Sequence, residues 1–337
     1  MDNNKKKMVR LSASRLSTLN SCSWIYFCQY ILKIKSPSNS GSSRGTIAHA
    51  VFEYLLKNRR KPLVEKILQA KTIKCYPPLE KYVALYIEKE GLTEFDKKGE
   101  HNFNLIDEMI QVGLSLDFYC EGWELEPPEL EFKYKNDNYE LLGYIDKSAT
   151  KPGDYFIRDF KSSASKYEGE EKEYNIQSLI YSLWSYKERG VIPFVQFIFL
   201  RFKDDPYIEK RYSKQELDGF SEYLTYITQY LSNFTFEKAI SGLAAEKGFP
   251  KDGGFKGRVM CGRAKFPGDL KKNGELAYFC PHKFPYTYHA VFDNSGEYIY
   301  SSREKPDLKD GENIVEQEYK GCWYFNKQNY QKEMNNS

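Results

Sequence analysis

Tyr139-Glu140-Leu141-Leu142-Gly143-Tyr144-Ile145-Asp146 and Tyr155-Phe156-Ile157-Arg158-Asp159-Phe160-Lys161 are the two runs that decide the fold. Both are rich in aromatic and branched residues, as strands are. Lys151-Pro152-Gly153-Asp154 between them has the composition of a tight turn, so the two runs read as a hairpin. Side chains alternate across a strand, which sends Asp159 and Lys161 to one face and Phe160 to the other. The first run ends its apolar pattern at Asp146. Two carboxylates then converge, an arrangement suited to a hard divalent cation such as magnesium. Such a cation polarises a phosphoryl oxygen and helps generate hydroxide, while a lysine beside it orients that water or neutralises developing charge.

Asp-x-Lys is common, and the chain repeats it at Asp96-Lys98, Asp269-Lys271 and Asp307-Lys309 in polar surroundings. Glu131-Phe132-Lys133 is a stronger rival because it also lies on an expected strand, with Glu124 and Glu126 in a proline-containing loop upstream. What separates Asp159-Lys161 from these is order. His49 precedes the acid pair on an expected helix that opens near Thr46 and buries Ala48, Val51, Phe52 and Leu55. Glu53 shares the face of His49. After the pair comes a helix from about Tyr174 to Glu188, with Ile176, Leu179, Ile180 and Leu183 as its core stripe. Gln177 and Tyr181, four residues apart, share another face, where they can hydrogen-bond the lysine, a water or a DNA phosphate.

His49, Asp146, Asp159-x-Lys161 and Gln177-x-x-x-Tyr181 together resemble the RecB-type branch of the PD-(D/E)xK nuclease superfamily. The opening Leu11-Ser12-Ala13-Ser14-Arg15-Leu16 through Cys22 and Tyr26 is similar to that branch as well. The resemblance implies a restriction-endonuclease-like α/β fold and metal ligation by His49, Asp146, Asp159 and the backbone carbonyl of Phe160. It implies Lys161 as the catalytic lysine, with Asp159, Asp146, Gln177 and Tyr181 beside it, and Mg²⁺ or Mn²⁺ as cofactor. It further implies cleavage from a DNA terminus, leaving 5′-phosphate and 3′-hydroxyl ends, in replication, recombination or repair. An endonuclease on the same fold and a catalytically inactive DNA-binding or assembly protein are the competing expectations.

The rest of the chain frames this site. Strands expected near 129–135, 139–149 and 155–163, the Gln177 helix, and a strand over 194–202 suit a mixed sheet flanked by helices. Ser213-x-x-Glu216 opens a long amphipathic helix with a capping box. Ser36 to Ser43 reads as a Ser/Gly/Pro loop, and helices near 80–90 and 104–120 form an insertion spanning about 57–128. The expected organisation is a tail over 1–10, a nuclease domain over 11–245 and a C-terminal extension over 246–337 packing on it. The absence of any membrane-length apolar run points to a soluble intracellular protein. Lys, Asn, Ile, Tyr and Phe are abundant together, as an AT-rich coding sequence produces, so aromatic content alone does not indicate base stacking. Net charge is only +3; its placement says more. Arg59, Arg60 and Lys61 end the histidine helix as a basic cluster. Lys256, Arg258 and Arg263 lie in a glycine-punctuated basic stretch. Both are candidates for phosphate contact.

The seven cysteines suggest metal binding or burial rather than disulfides in this context. Relatives of the RecB type carry an iron–sulfur cluster, and Cys22 stands where its first ligand would. Cys261 and Cys280 depart from that pattern, and no C-x-x-C occurs. Cys280 with His282 offers donors that zinc accepts. The favoured expectation is a degenerate cluster, replaced by hydrophobic packing of residues 279–291, with Cys28, Cys75, Cys120 and Cys322 buried or incidental.

Overall fold

Asp146 is where one sheet hands over to another. The computed structural model describes residues 8–34, 36, 40–57, 59–96, 99–244, 266–270 and 279–331. In it the run expected as one strand divides into Tyr139–Ile145 and Lys147–Lys151, with Asp146 alone between them. The upstream part is central in a three-stranded sheet, parallel to Val9–Leu11 and antiparallel to Leu130–Lys135. The downstream part enters a five-stranded sheet whose order is Glu124–Leu125, Lys147–Lys151, Asp154–Lys161, Phe194–Phe199, Tyr207–Lys210. The hairpin forms as expected: Lys151 pairs with Asp154 across Pro152 and Gly153. Gly153 sits at φ 80°, the left-handed position that a Pro-Gly turn assigns to glycine. Asp154–Lys161 then pairs in parallel with Phe194–Phe199, the crossover being the helix Ile176–Arg189.

Contacts divide the chain into two compact units. Unit one comprises residues 1–13 and 38–232, and unit two residues 14–37 and 233–337. This division differs from the expected boundary at 245, because residues 14–37 group with the C-terminal segment. In unit one, Ile47, Ala48, Val51, Phe52 and Leu55 of the helix Ser40–Lys57 are buried against Phe160, Ile198 and Leu200 of the sheet and against the helix Asn102–Leu114. That stripe is the one read from sequence. The helix itself starts at Ser40, so part of the segment expected as a loop is its first turn. Gly45 permits this packing, since a Cβ there would lie 2.6 Å from Ser162 Oγ at the end of the lysine strand. The insertion also carries Lys61–Ala70 and Pro77–Lys89. The capping box at Ser213 is present and opens Lys214–Leu231.

Unit two has a sheet ordered Tyr298–Ser302, Tyr286–Phe292, Asn313–Tyr319. Its core contains Cys22, Trp24, Cys28, Tyr288, Tyr319, Cys322 and Tyr330. No helix among the described residues is long and apolar enough to cross a membrane.

Candidate active site

His49 comes from the middle of Ser40–Lys57, which presses on the sheet through the stripe described above. Its Nε2 lies 2.9 Å from the carbonyl oxygen of Phe160, and its Nδ1 lies 3.3 Å from Asp146 Oδ1. The other Asp146 oxygen accepts the Phe160 amide at 2.7 Å, locking the carboxylate to the neighbouring strand. Burial alone would lower the His49 imidazole. Asp146, Asp159 and the Phe160 carbonyl outweigh it and raise the group to about 9. Asp146 shows the mirror effect: burial pushes its carboxyl up, but His49 and the Phe160 amide bring it below the ordinary value.

The third group at this point is Glu129, which the sequence reading did not select. One donor atom from each of His49, Glu129 and Asp146 lies within 4.8 Å of the others. Burial and the charge of Asp146 raise the Glu129 carboxyl, the response of an acid crowded by another acid. Its backbone φ of 54° is unusual outside glycine and accompanies the amide contact Glu129 N to Asp146 O at 3.2 Å. The pairing of its strand with Tyr139–Ile145 brings it there. Leu130 pairs with Ile145, so the residue before Leu130 meets the residue after Ile145. Glu131 and Lys133, the rival pair, instead form an ion pair at 3.1 Å on an exposed strand face.

Asp159 and Lys161 share a face, as expected, and Lys161 Nζ lies 2.5 Å from Asp159 Oδ1. Lys161 also donates to Gln177 Oε1 at 2.6 Å. Gln177 Nε2 donates to Asp159 Oδ2 and to the Tyr181 hydroxyl, each at 2.6 Å. The Tyr181 hydroxyl, with one proton to give, lies 2.8 Å from Asp159 Oδ2 and 2.9 Å from the Tyr144 carbonyl. Asn175 caps this helix by accepting from the Gln177 and Ser178 amides, which fixes where the Gln-Tyr face points. Burial would lower the Lys161 ammonium, but the Asp159 charge and then Tyr167 hold it above its usual value. Asp159, 3% exposed, is thus engaged by lysine, glutamine and tyrosine. His49, Glu129 and Asp146 form the adjoining group. Two carboxylates and an imidazole at that separation fit a hard divalent cation, with the Phe160 carbonyl beside them.

Other candidates fall elsewhere. Arg59 and Lys61 are exposed, Lys61 within 3.9 Å of Glu121, while Arg60 covers the Tyr54 ring at 5.1 Å. Lys256, Arg258, Cys261 and Arg263 lie outside the described residues. Cys22, Cys28 and Cys322 share the aromatic core of unit two, and Cys280 is buried at 7% exposure. Cys28 and Cys322, set aside on sequence spacing, therefore accompany Cys22. His282 is fully buried, with Nε2 at 2.9 Å from Ser36 Oγ and Nδ1 at 3.1 Å from the Tyr286 hydroxyl. Hydroxyls thus occupy both ring nitrogens.

A model of the PD-(D/E)XK nuclease superfamily matches residues 10–261. The B subunits of ATP-dependent helicase/deoxyribonuclease from three strains of Streptococcus agalactiae are each 26% identical over 165 residues. That region is 48% of this chain but 15% of each relative, so the chain matches a small part of a much longer protein. A candidate exonuclease from Eubacterium rectale superposes with a TM-score of 0.43 at 12% identity, covering 68% of this chain and 82% of that one; this likeness is too slight to carry an argument. The family match extends over most of the sequence, and the chain belongs to the PD-(D/E)XK nuclease superfamily.

Proposed function

We propose that the protein is a divalent-metal-dependent deoxyribonuclease, an exonuclease acting on DNA with a free end in replication, recombination or repair. The observation that carries this reading is the convergence of His49, Glu129 and Asp146 beside the Asp159–Lys161 pair. His49, Glu129, Asp146 and the Phe160 carbonyl would hold Mg²⁺ or Mn²⁺, with Asp159 beside them. Bound there, such a cation supplies Lewis-acid polarisation of a phosphoryl oxygen and a more acidic water. Lys161 would orient the attacking water or offset charge developing on the phosphate. Gln177 accepts from the lysine at 2.6 Å and donates to Asp159, which holds the pair together. Tyr181, anchored on the Tyr144 carbonyl, keeps the Asp159 carboxylate in register with Asp146. Exposed Arg59 and Lys61 are suited to phosphate contact beyond the site.

The test is incubation of wild type with Mn²⁺ or Mg²⁺ and end-labelled linear DNA, single- and double-stranded, beside circular controls. Metal-dependent loss of linear DNA with circles intact is the expected result. Cutting of circles would make the enzyme an endonuclease. A folded protein that binds DNA and cuts nothing would leave a binding or assembly role.

A further inference from the structure

Behind the strands that carry the acids runs a polar row that the reaction does not use. Lys147 follows Asp146, and Arg158 precedes Asp159. The two pair directly across the hairpin, so their side chains leave one face of the sheet, opposite to that of Asp159 and Lys161. Register continues the row through Gln196 to Glu209 on the next two strands. Arg158 donates from Nε and Nη2 to Gln196 Oε1 at 3.1 and 3.0 Å, and Gln196 donates to Glu209 Oε2 at 3.1 Å. Both cations are buried, Lys147 at 1% and Arg158 at 6% exposure. Each reaches the turn that follows the insertion helix Asn102–Leu114. Lys147 Nζ donates to the Phe118 carbonyl, and Arg158 Nη1 to the Leu116 carbonyl at 2.6 Å. The Asp117 carbonyl takes a longer contact from each, at 3.5 and 3.4 Å.

Burying an ammonium and a guanidinium is costly, and neutral carbonyls repay it less than a carboxylate would. Apolar side chains would fill this face at lower cost. What the cations add is direction, because charge-assisted hydrogen bonds fix the strands against the turn. The two backbone positions so fixed are the neighbours of Asp146 and Asp159. Asp146 needs such a hold, since it stands alone between two sheets and Lys147 begins the second of them. We propose that Lys147 and Arg158 are positioning residues, which set Asp146 and Asp159 for metal binding by tying their strands to the end of the insertion helix. This rests on the nuclease reading above and adds to it that the insertion helps to build the site from the far side of the sheet.

The test separates positioning from stability. Mn²⁺ binding is measured by calorimetry on wild type, Lys147→Met, Arg158→Lys and Ile67→Ala, with thermal melting and hydrolysis of bis(p-nitrophenyl) phosphate on the same samples. Ile67, fully buried on Lys61–Ala70, supplies a destabilised control within the insertion. Lys147→Met and Arg158→Lys should each bind Mn²⁺ about 10-fold more weakly. Their kcat for the diester should fall about 100-fold at unchanged KM. Ile67→Ala should melt earlier and keep wild-type Mn²⁺ affinity and kcat. If Lys147→Met fails to fold, Arg158→Lys, which keeps the charge but loses the planar fork, decides alone. Wild-type Mn²⁺ affinity in folded Arg158→Lys, or an equal loss in Ile67→Ala, would overturn the assignment. A wild type that binds Mn²⁺ and hydrolyses no diester would count against the nuclease reading, with the metal titration still deciding the positioning role.

Discussion

Glu129 and Asp159 stand in different surroundings. Asp159 is held by Lys161, Gln177 and Tyr181, while Glu129 joins His49 and Asp146 at ligand distance. Glu129→Gln keeps the shape and removes the charge, so Mn²⁺ affinity by calorimetry should fall at least about 10-fold. An unchanged affinity would remove Glu129 from the ligand set. Asp159→Ala should abolish cleavage and leave the fold intact, since burial and the Asp146 charge already push that carboxyl up. A lower melting temperature in that variant would instead give Asp159 a structural role. The residues legible in sequence were those with a fixed local spacing: alternation put Asp159 and Lys161 on one face, and a helical turn joined Gln177 to Tyr181. Glu129 was not legible, because its place depends on pairing between strands, which a linear pattern does not contain.

At the level of elements, the histidine helix shows how two glycines set close packing. Gly45 lies against Ser162, and a Cβ on Gly113 would sit 2.3 Å from Phe52 Cζ. Phe52 is wedged between Phe160, at 4.3 Å, and Phe118, at 5.8 Å. Those two rings limit where it can move. Gly113→Ala should therefore destabilise by about 1–3 kcal/mol, read as a lower urea midpoint; an unchanged midpoint would mean the ring is free to shift. The stripe of this helix and the hairpin strands follow from periodicity. The start of the helix at Ser40 does not, because a Ser/Gly-rich segment resembles a loop until tertiary contact, here Ser162 Oγ donating to the Gly41 carbonyl, favours helix. The break at Asp146 was hidden for a similar reason: a continuous apolar run does not reveal that its halves pair in different sheets.

Across the whole molecule, the two units differ in what limits them. In unit two, burial and then Arg303 lower the His282 imidazole to about 4, from an ordinary 6.5. A base whose folded value is depressed favours the fold while neutral, so its contribution is complete above pH 6.5 and is lost as pH falls from there toward 4. Wild type should lose about 2 kcal/mol more than His282→Gln between about pH 7 and pH 5, measured by urea denaturation; parallel curves would show that His282 protonates freely. In unit one the central claim is a single phosphodiesterase site in which Lys161 acts on the reaction and not on the fold. It is tested most directly by single-turnover cleavage of a labelled oligonucleotide in Mn²⁺ by wild type and by Lys161→Ala, with Mn²⁺ and DNA binding measured on the same samples. The account predicts that the variant binds both and does not cleave. Cleavage by Lys161→Ala at the wild-type rate would contradict it.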